Sequence, residues 1–376
     1  MSRSGTQRVV CILIALALPC THARAEGEWE ITPQSEVALD RGLDWLARNQ
    51  GAAGNWDSND LGLVATGALA FLSAGHMPRR GKYGDVVDRA LQYVVRQSKP
   101  SGLLNVAAAQ RDMYNHGLAT FVLGQAQGMT NDPQLAVVLD RALKLIYYTQ
   151  CGDGGWDYRA RRQTRGHDLS LAVMQAKAIR SAVDSGLEVP RGVVQLAIKS
   201  VRNHYRARNG ARGEDPRARM GTGQFTYNGG SGTTAMAAAG VVCMQEFGQY
   251  DDWRIPKSMV RIKRDIDRIR KPTRNGRMPF DAYTMYYVGQ ALYQVGGDDW
   301  RKYYPQLRDY LVNSQVVKPG DSRSDGHWIA SGHVSGKPGQ LYGTAVSCFI
   351  LAMPNRYLPI LQEGKIESLK RDLRSP

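Results

Sequence analysis

The sequence predicts an all-α fold, an (α/α)6 toroid: a double-shell barrel of about six helical hairpins. Two observations predict it. First, a spaced pattern recurs. Arg41-Gly42, Trp45-Leu46, Gln50 and Gly54-Asn55-Trp56 return as Arg141-Ala142, Leu145-Ile146, Gln150 and Gly154-Gly155-Trp156, with nine positions from Arg to Gln and six from Gln to Trp in both copies. A self-similar period of this length is the signature of a repeat architecture. Second, polar-faced helical stretches alternate with nearly uncharged ones, and no strand-like alternation of comparable length interrupts them.

The elements follow in order. Residues 34–49 carry Val37, Leu39, Leu43 and Leu46 close to helical spacing and read as an outer helix. After a turn at 51–60, residues 61–74 are rich in Ala and Gly and almost free of charge, which marks a buried inner helix. The alternation continues as 86–97 with 115–127, 133–149 with 169–183, 193–206 with 233–247, 256–270 with 281–295, and 303–313 with 342–353. Inner segments end at or near Gly, a common helix stop. An open solenoid would expose both helix faces, so nearly uncharged inner helices favour closure into a ring around a central cavity.

Residues 1–25 read as a secretory signal: Arg3 and Arg8 precede an apolar run at 9–18, and Ala23-Arg24-Ala25 offers a cleavage site. The apolar run is too short to span a membrane. Residues 26–376 then form a single toroid domain, secreted or periplasmic. This mature chain keeps Cys151, Cys243 and Cys348, an odd and widely spaced set that makes no disulfide framework. Cys243 and Cys348 fall in apolar helices, whereas Cys151 falls in a turn, where it is expected to be accessible. The net charge is +15 over 376 residues, with clusters at 202–219 and 261–277. A basic surface suits anionic partners, and export argues against nucleic acid.

The recurrent Gln–Trp pattern resembles the QW repeats of the terpenoid cyclases. Tyr310-Leu311, Gln315 and Asp325-Gly326-His327-Trp328 look like a third copy, and residues 281–296 and 341–353 resemble the prenyltransferase/squalene-oxidase repeat. The resemblance implies the toroid fold and an isoprenoid or other lipid-like substrate in an aromatic-lined cavity. It also implies motifs that are missing. Protein prenyltransferases hold zinc with Asp, Cys and His; here the Asp281 position is followed by Tyr283 in place of Cys, and Gly343 stands where the His is expected. Squalene–hopene cyclases use D-x-D-D, and the nearest string is Asp57-Ser58-Asn59-Asp60. No metal and no cofactor are therefore expected. In the QW pattern itself, each Gln is expected to hydrogen-bond turn backbone and each Trp to cover it, fastening neighbouring repeats.

Inner-helix N-termini in such a barrel share one mouth, where free N–H groups favour anions. Near that mouth lie Asp60, His116, His167, Asp168, Ser231, Thr233, Asp281 and Tyr342, each of which reads either as a helix cap or companion or as part of a polar ring. Candidate catalytic residues are Asp281, beside the tyrosines Tyr283, Tyr286, Tyr287 and Tyr293; His167, with Asp168; and Asp153 with Asp157, as paired carboxylates for glycan chemistry. Candidate substrate-binding residues are His116, Tyr283, Tyr286, Tyr287 and Tyr342, with Arg217 and Arg219 of the basic insert 206–230. The leading expectation is an exported toroid acting on or binding a lipid-like ligand. The alternatives are an envelope toroid that holds anionic polymers, with peripheral membrane contact included, and a glycan-active (α/α)6 enzyme.

Overall fold

A computed structural model describes residues 29–230, 232–270, 274–330 and 339–362. The expected leader and Ser231 lie outside the described residues. The helices are α1 (Pro33–Arg48), α2 (Leu61–Ser73), α3 (Gly84–Arg96), α4 (Asp112–Thr130), α5 (Pro133–Thr149), α6 (Leu169–Asp184), α7 (Arg191–Asn203), α8 (Thr234–Glu246), α9 (Arg254–Ile266), α10 (Ala282–Val295), α11 (Gly297–Ser314) and α12 (Gln340–Ala352). Odd-numbered helices form the outer shell and even-numbered ones the inner shell. Each inner helix packs on the next, and α12 returns to both α2 and α1, which closes the ring.

Outer helices bury one stripe. In α9, Ile255, Met259, Ile262 and Ile266 face inward at helical spacing, while Lys257, Arg261, Lys263 and Arg264 lie outside that stripe; Arg254 at the helix start is buried and paired with Asp252. Inner helices are buried nearly all round, as in α8, where every residue is buried. The N-termini of inner helices are capped by side chains: Asp60 accepts from Leu63 N–H at 2.9 Å, Thr233 from Met236 N–H at 3.2 Å and Asp281 from Thr284 N–H at 3.0 Å. Helix α11 begins at Gly297, six positions before the expected 303, because Gly296 and Gly297 stop α10 at positive φ and Asp298-Asp299 suit the first turn.

The Gln–Trp pattern fastens successive outer helices. Gln50 Nε2 donates to Gly54 O at 3.3 Å and across to Val86 O of α3 at 2.9 Å. Gln150 repeats this with Gly154 O at 3.1 Å and Val193 O of α7 at 2.9 Å, and Gln315 with Gly326 O and Ala38 O of α1, both at 2.9 Å. Each indole then ties the turn back to its own outer helix, Trp56 to Leu46 O at 2.8 Å, Trp156 to Ile146 O and Trp328 to Leu311 O at 2.9 Å. The turn glycine is required at this position. Gly54, Gly154 and Gly326 all have positive φ, and a Cβ on Gly154 would lie 2.0 Å from Leu196 O. The third copy joins the last outer helix to the first, beside the packing of α12 on α1 and α2.

The basic insert is ordered rather than a flexible solvated loop. Strands β1 (Tyr205–Ala207) and β2 (Gly223–Phe225) pair antiparallel, with Tyr205 opposite Phe225. Phe225 is buried on α8, where Gly240 leaves room for its ring, and Tyr205 packs edge-on against Trp253. Cys151 is 1% exposed, contrary to the expected accessibility of a turn thiol, because the turn folds under the loop at 163–166.

Candidate functional site

The polar residues of the inner-helix mouth do not form an even ring; one cluster gathers at the N-terminus of α6. Asp168, buried, caps that helix through Ser170 N–H at 2.9 Å. Its other carboxylate oxygen accepts from the Tyr158 hydroxyl at 2.6 Å and faces His167 Nδ1 at 3.0 Å. Tyr158 in turn hydrogen-bonds the Tyr227 hydroxyl, and Ser170 Oγ meets the Tyr114 hydroxyl. Tyr114 stacks on Tyr158 at 5.7 Å between centroids, and the His167 ring stands edge-on to Tyr158 at 4.4 Å. Burial, reinforced by the Asp168 carboxylate, pushes the phenols of Tyr114 and Tyr158 well above the ordinary range. Both therefore stay protonated and act as donors.

Adjacent residues within a helix do not face each other, but His167 precedes the cap and is free to turn back onto Asp168. With Nδ1 donating to the carboxylate, Nε2 is left as an acceptor, the arrangement of an oriented general base. The His167 side chain is 53% exposed and lines a cleft of about 500 Å³ shared with Asp153, Lys199, His204, Arg212 and Asn228. The His204 imidazole is held below its ordinary range by burial, against the opposing pull of Asp168.

The other expected site residues take different places. Asp281 caps α10 and accepts from the Thr284 hydroxyl at 2.5 Å as well as from its N–H, so both oxygens serve the helix start. Asp153 accepts from the N–H groups of Gly155 and Gly166 at 3.0 and 2.8 Å, and Asp157 binds Arg161 at 2.7 Å and its own neighbour's N–H. These two carboxylates staple the turn rather than face each other across a substrate space. His116 is a buried strut: Nδ1 accepts from Leu104 N–H at 3.1 Å and Nε2 donates to Ala142 O at 3.0 Å, which leaves no nitrogen for a ligand.

Tyr283, Tyr286 and Tyr287 are at most 2% exposed and pack edge-on to one another, with Phe349 beside Tyr286 and Tyr342 alongside. A chamber large enough for a lipid would leave the faces of these rings exposed. They fill the barrel instead of lining a chamber. Below them Lys177 of α6 lies 3.4 Å from Glu246 and 4.2 Å from the Phe121 ring centroid, a buried ion pair inside a shell expected to be nearly uncharged. Gly343 packs against the backbone of residues 328–330, where a Cβ would lie 2.5 Å from Ala330 N, so a metal-binding His does not fit there. Arg217 chelates Asp215 at the surface, and Arg219 lies 5.7 Å from the Trp253 ring centroid. Neither reaches the mouth cluster.

No protein-family model matches the sequence, and no curated protein matches it. Solved structures do match the fold. An inactive variant of the alpha-1,6-mannanase GH76A of Salegentibacter sp. HEL1_6, in complex with alpha-1,6-mannotetrose, superposes with a TM-score of 0.55 at 9% identity, covering 88% of this chain and 100% of that one. The GH76A mannanase itself superposes at 0.54 with 10% identity and the same coverage. The chain has the α/α toroid fold. A type II terpene cyclase, MstE from Scytonema, overlaps at a TM-score of only 0.33 with 12% identity, over 86% of this chain and 99% of that one.

Proposed function

We propose that this protein is a glycan-active toroid whose substrate lies across the mouth of the barrel, over Tyr158, Tyr227 and His167. The carrying observation is the convergence of three tyrosines and an exposed histidine on the buried carboxylate of Asp168. Tyrosine faces offer an apolar platform with a polar rim, which suits a sugar ring. Hydroxyl and imidazole groups beside them offer donors and acceptors for sugar hydroxyls. The cleft of about 500 Å³ beside the tyrosines, which His167, Asn228 and Gly229 line, is of the size of a small-ligand site. That a toroid of the same shape holds a mannotetrose in the mannanase complex is consistent with this reading.

In this reading His167 Nε2 takes a proton from the water that attacks the anomeric carbon, the glycosidic C–O bond breaks, and the leaving oxygen takes the Tyr227 hydroxyl proton, which the imidazolium then restores. Asp168 fixes the His167 tautomer and orientation, and Tyr158 positions the sugar. The isoprenoid reading loses its support with the filled barrel centre, since Tyr283, Tyr286 and Tyr287 have no open face for an alkene. The test is turnover and binding together. Soluble neutral and acidic polysaccharides are incubated with the full chain and new chain ends are counted. Cleavage that His167→Ala abolishes while the fold stays intact supports the proposal. Cleavage of no polysaccharide, with or without binding, would overturn it.

A further inference from the structure

We infer that a groove beside the mouth is a second binding site, built to hold a linear acidic polysaccharide; the inference deepens the glycan reading by naming an anionic substrate class. The groove, about 780 Å³, runs between the insert and α9. Five cations line it: Arg206 and Arg208 on the insert side, and Lys257, Arg261 and Arg264 on the helix. The three on α9 stand at i, i+4 and i+7, a single stripe about 10 Å long. Among the described residues the lining holds no carboxylate and no aromatic ring.

The charges are fixed without being cancelled. Lys257 Nζ donates to the carbonyl of Arg219 at 2.6 Å and to that of Gly221, and Arg206 donates to the carbonyl of Gly229. Carbonyls orient a cation but leave its charge. The acid that answers these groups is Asp265, shared by Arg261 at 2.5 Å and Arg264 at 3.2 Å. One carboxylate against five cations leaves a strong positive excess in a concave site, where field lines concentrate. Gly221, Gly223, Gly230 and Gly232 line the groove, so a chain can approach the backbone closely.

The shape selects among polyanions. A bilayer surface is flat and does not enter a groove. Single-stranded nucleic acid is held by stacking on aromatic side chains, and the lining offers none. A carboxylate-bearing glycan needs only spaced cations and hydrogen-bond donors. The groove also adjoins the mouth. Residues 226–230 place Thr226 and Gly230 in the groove, Asn228 and Gly229 in the His167 cleft, and Tyr227 on Tyr158. A chain lying in the groove is therefore separated from the general base by one short segment of backbone.

The experiment is equilibrium binding of the full chain to polygalacturonate, with dextran, phosphatidylglycerol vesicles and oligodeoxythymidylate as comparison probes. Expected is polygalacturonate binding that weakens steeply with salt, with dextran unbound. The double variant Arg208→Glu, Arg264→Glu is expected to lose at least about tenfold in affinity. A control of equal charge change, Lys144→Glu with Arg96→Glu on outer helices away from the groove, is expected to bind within about twofold of wild type. Equal loss in both doubles, or tighter binding to vesicles or oligonucleotide than to polygalacturonate, overturns the inference. The two proposals fail separately: polyanion binding without cleavage of any glycan sinks the mouth reading alone, and cleavage of a neutral glycan without polyanion binding sinks the groove alone.

Discussion

The Tyr158 hydroxyl donates to the Asp168 carboxylate at 2.6 Å, linking a turn of the Gln–Trp repeat to the cap of the next inner helix. The same carboxylate holds His167, so one buried acid sets both the donor and the base of the candidate site. Replacing Tyr158 with Phe removes a hydrogen bond to a buried charge and the contact with Tyr227. The expected cost is about 1–3 kcal/mol in denaturant unfolding, with a weaker glycan Kd. Unchanged stability and affinity would show that the bond does not order the site.

The fasteners carry fold stability. Trp156 is fully buried and its indole is tied to Ile146 O. Trp156→Ala is expected to cost about 3–5 kcal/mol, and Gln150→Ala about 1–3 kcal/mol through two stranded carbonyls. Gly154→Ala meets both a positive φ and a 2.0 Å approach to Leu196 O, so it is expected to destabilise more than an ordinary Gly→Ala change. Urea titration of the three variants checks the set. A neutral Gly154→Ala would contradict the turn geometry.

His116 predicts an acid limb of the stability curve. Burial lowers its imidazole from 6.5 to about 4, opposed by the bond to Ala142 O. Between those values the unfolded chain binds the proton and the folded chain does not, so stability rises with pH. The contribution is fully present above about pH 6.5 and is lost as pH falls toward 4; it is on the order of 3 kcal/mol. Melting temperature against pH for wild type and His116→Gln reads it. The wild type is expected to fall more steeply between pH 6.5 and 4, and parallel curves would remove His116 as the cause.

Lys177 and Glu246 form a buried pair whose loss is asymmetric. Burial pushes the Lys177 ammonium down, with Glu246 opposing. Lys177→Met leaves the buried Glu246 carboxylate with Gln294 at 2.7 Å and the attraction of the Arg180 guanidinium, and is expected to cost about 3 kcal/mol. Adding Glu246→Gln removes the stranded charge and is expected to recover part of that loss. A double variant less stable than Lys177→Met would show that the pair is not coupled in this way.

The toroid was legible in the sequence because its signals are local. Helical spacing, uncharged inner stretches and the Gln50, Gln150 and Gln315 patterns each sit within a few turns of chain. The Gln–Trp fastener was legible too, since its copies share spacing. The mouth cluster was legible only as the pair His167 and Asp168, because Tyr114, Tyr158 and Tyr227 come from three separate stretches and meet it only when α4, α6 and the insert pack. His116 looked like a ligand because a helix-start histidine does not reveal that both nitrogens will be spent on backbone. Tyr283, Tyr286 and Tyr287 looked like a cavity lining because core and cavity tyrosines share the same spacing. The groove was half visible: the insert was evidently basic, but the matching stripe on α9 becomes its other wall only in three dimensions.

The most direct test of the glycan reading is the rate of new chain-end release from α-mannan and from polygalacturonate by the wild type and by His167→Ala. His167→Ala removes a hydrogen bond to the buried Asp168 carboxylate and is expected to cost about 1–3 kcal/mol, so the rates are compared at a temperature where denaturant titration shows both proteins folded. The account predicts cleavage of at least one of the two polymers by the wild type and a loss of roughly 100-fold or more in the variant. Equal rates in the two proteins, or no release from either polymer, would contradict it.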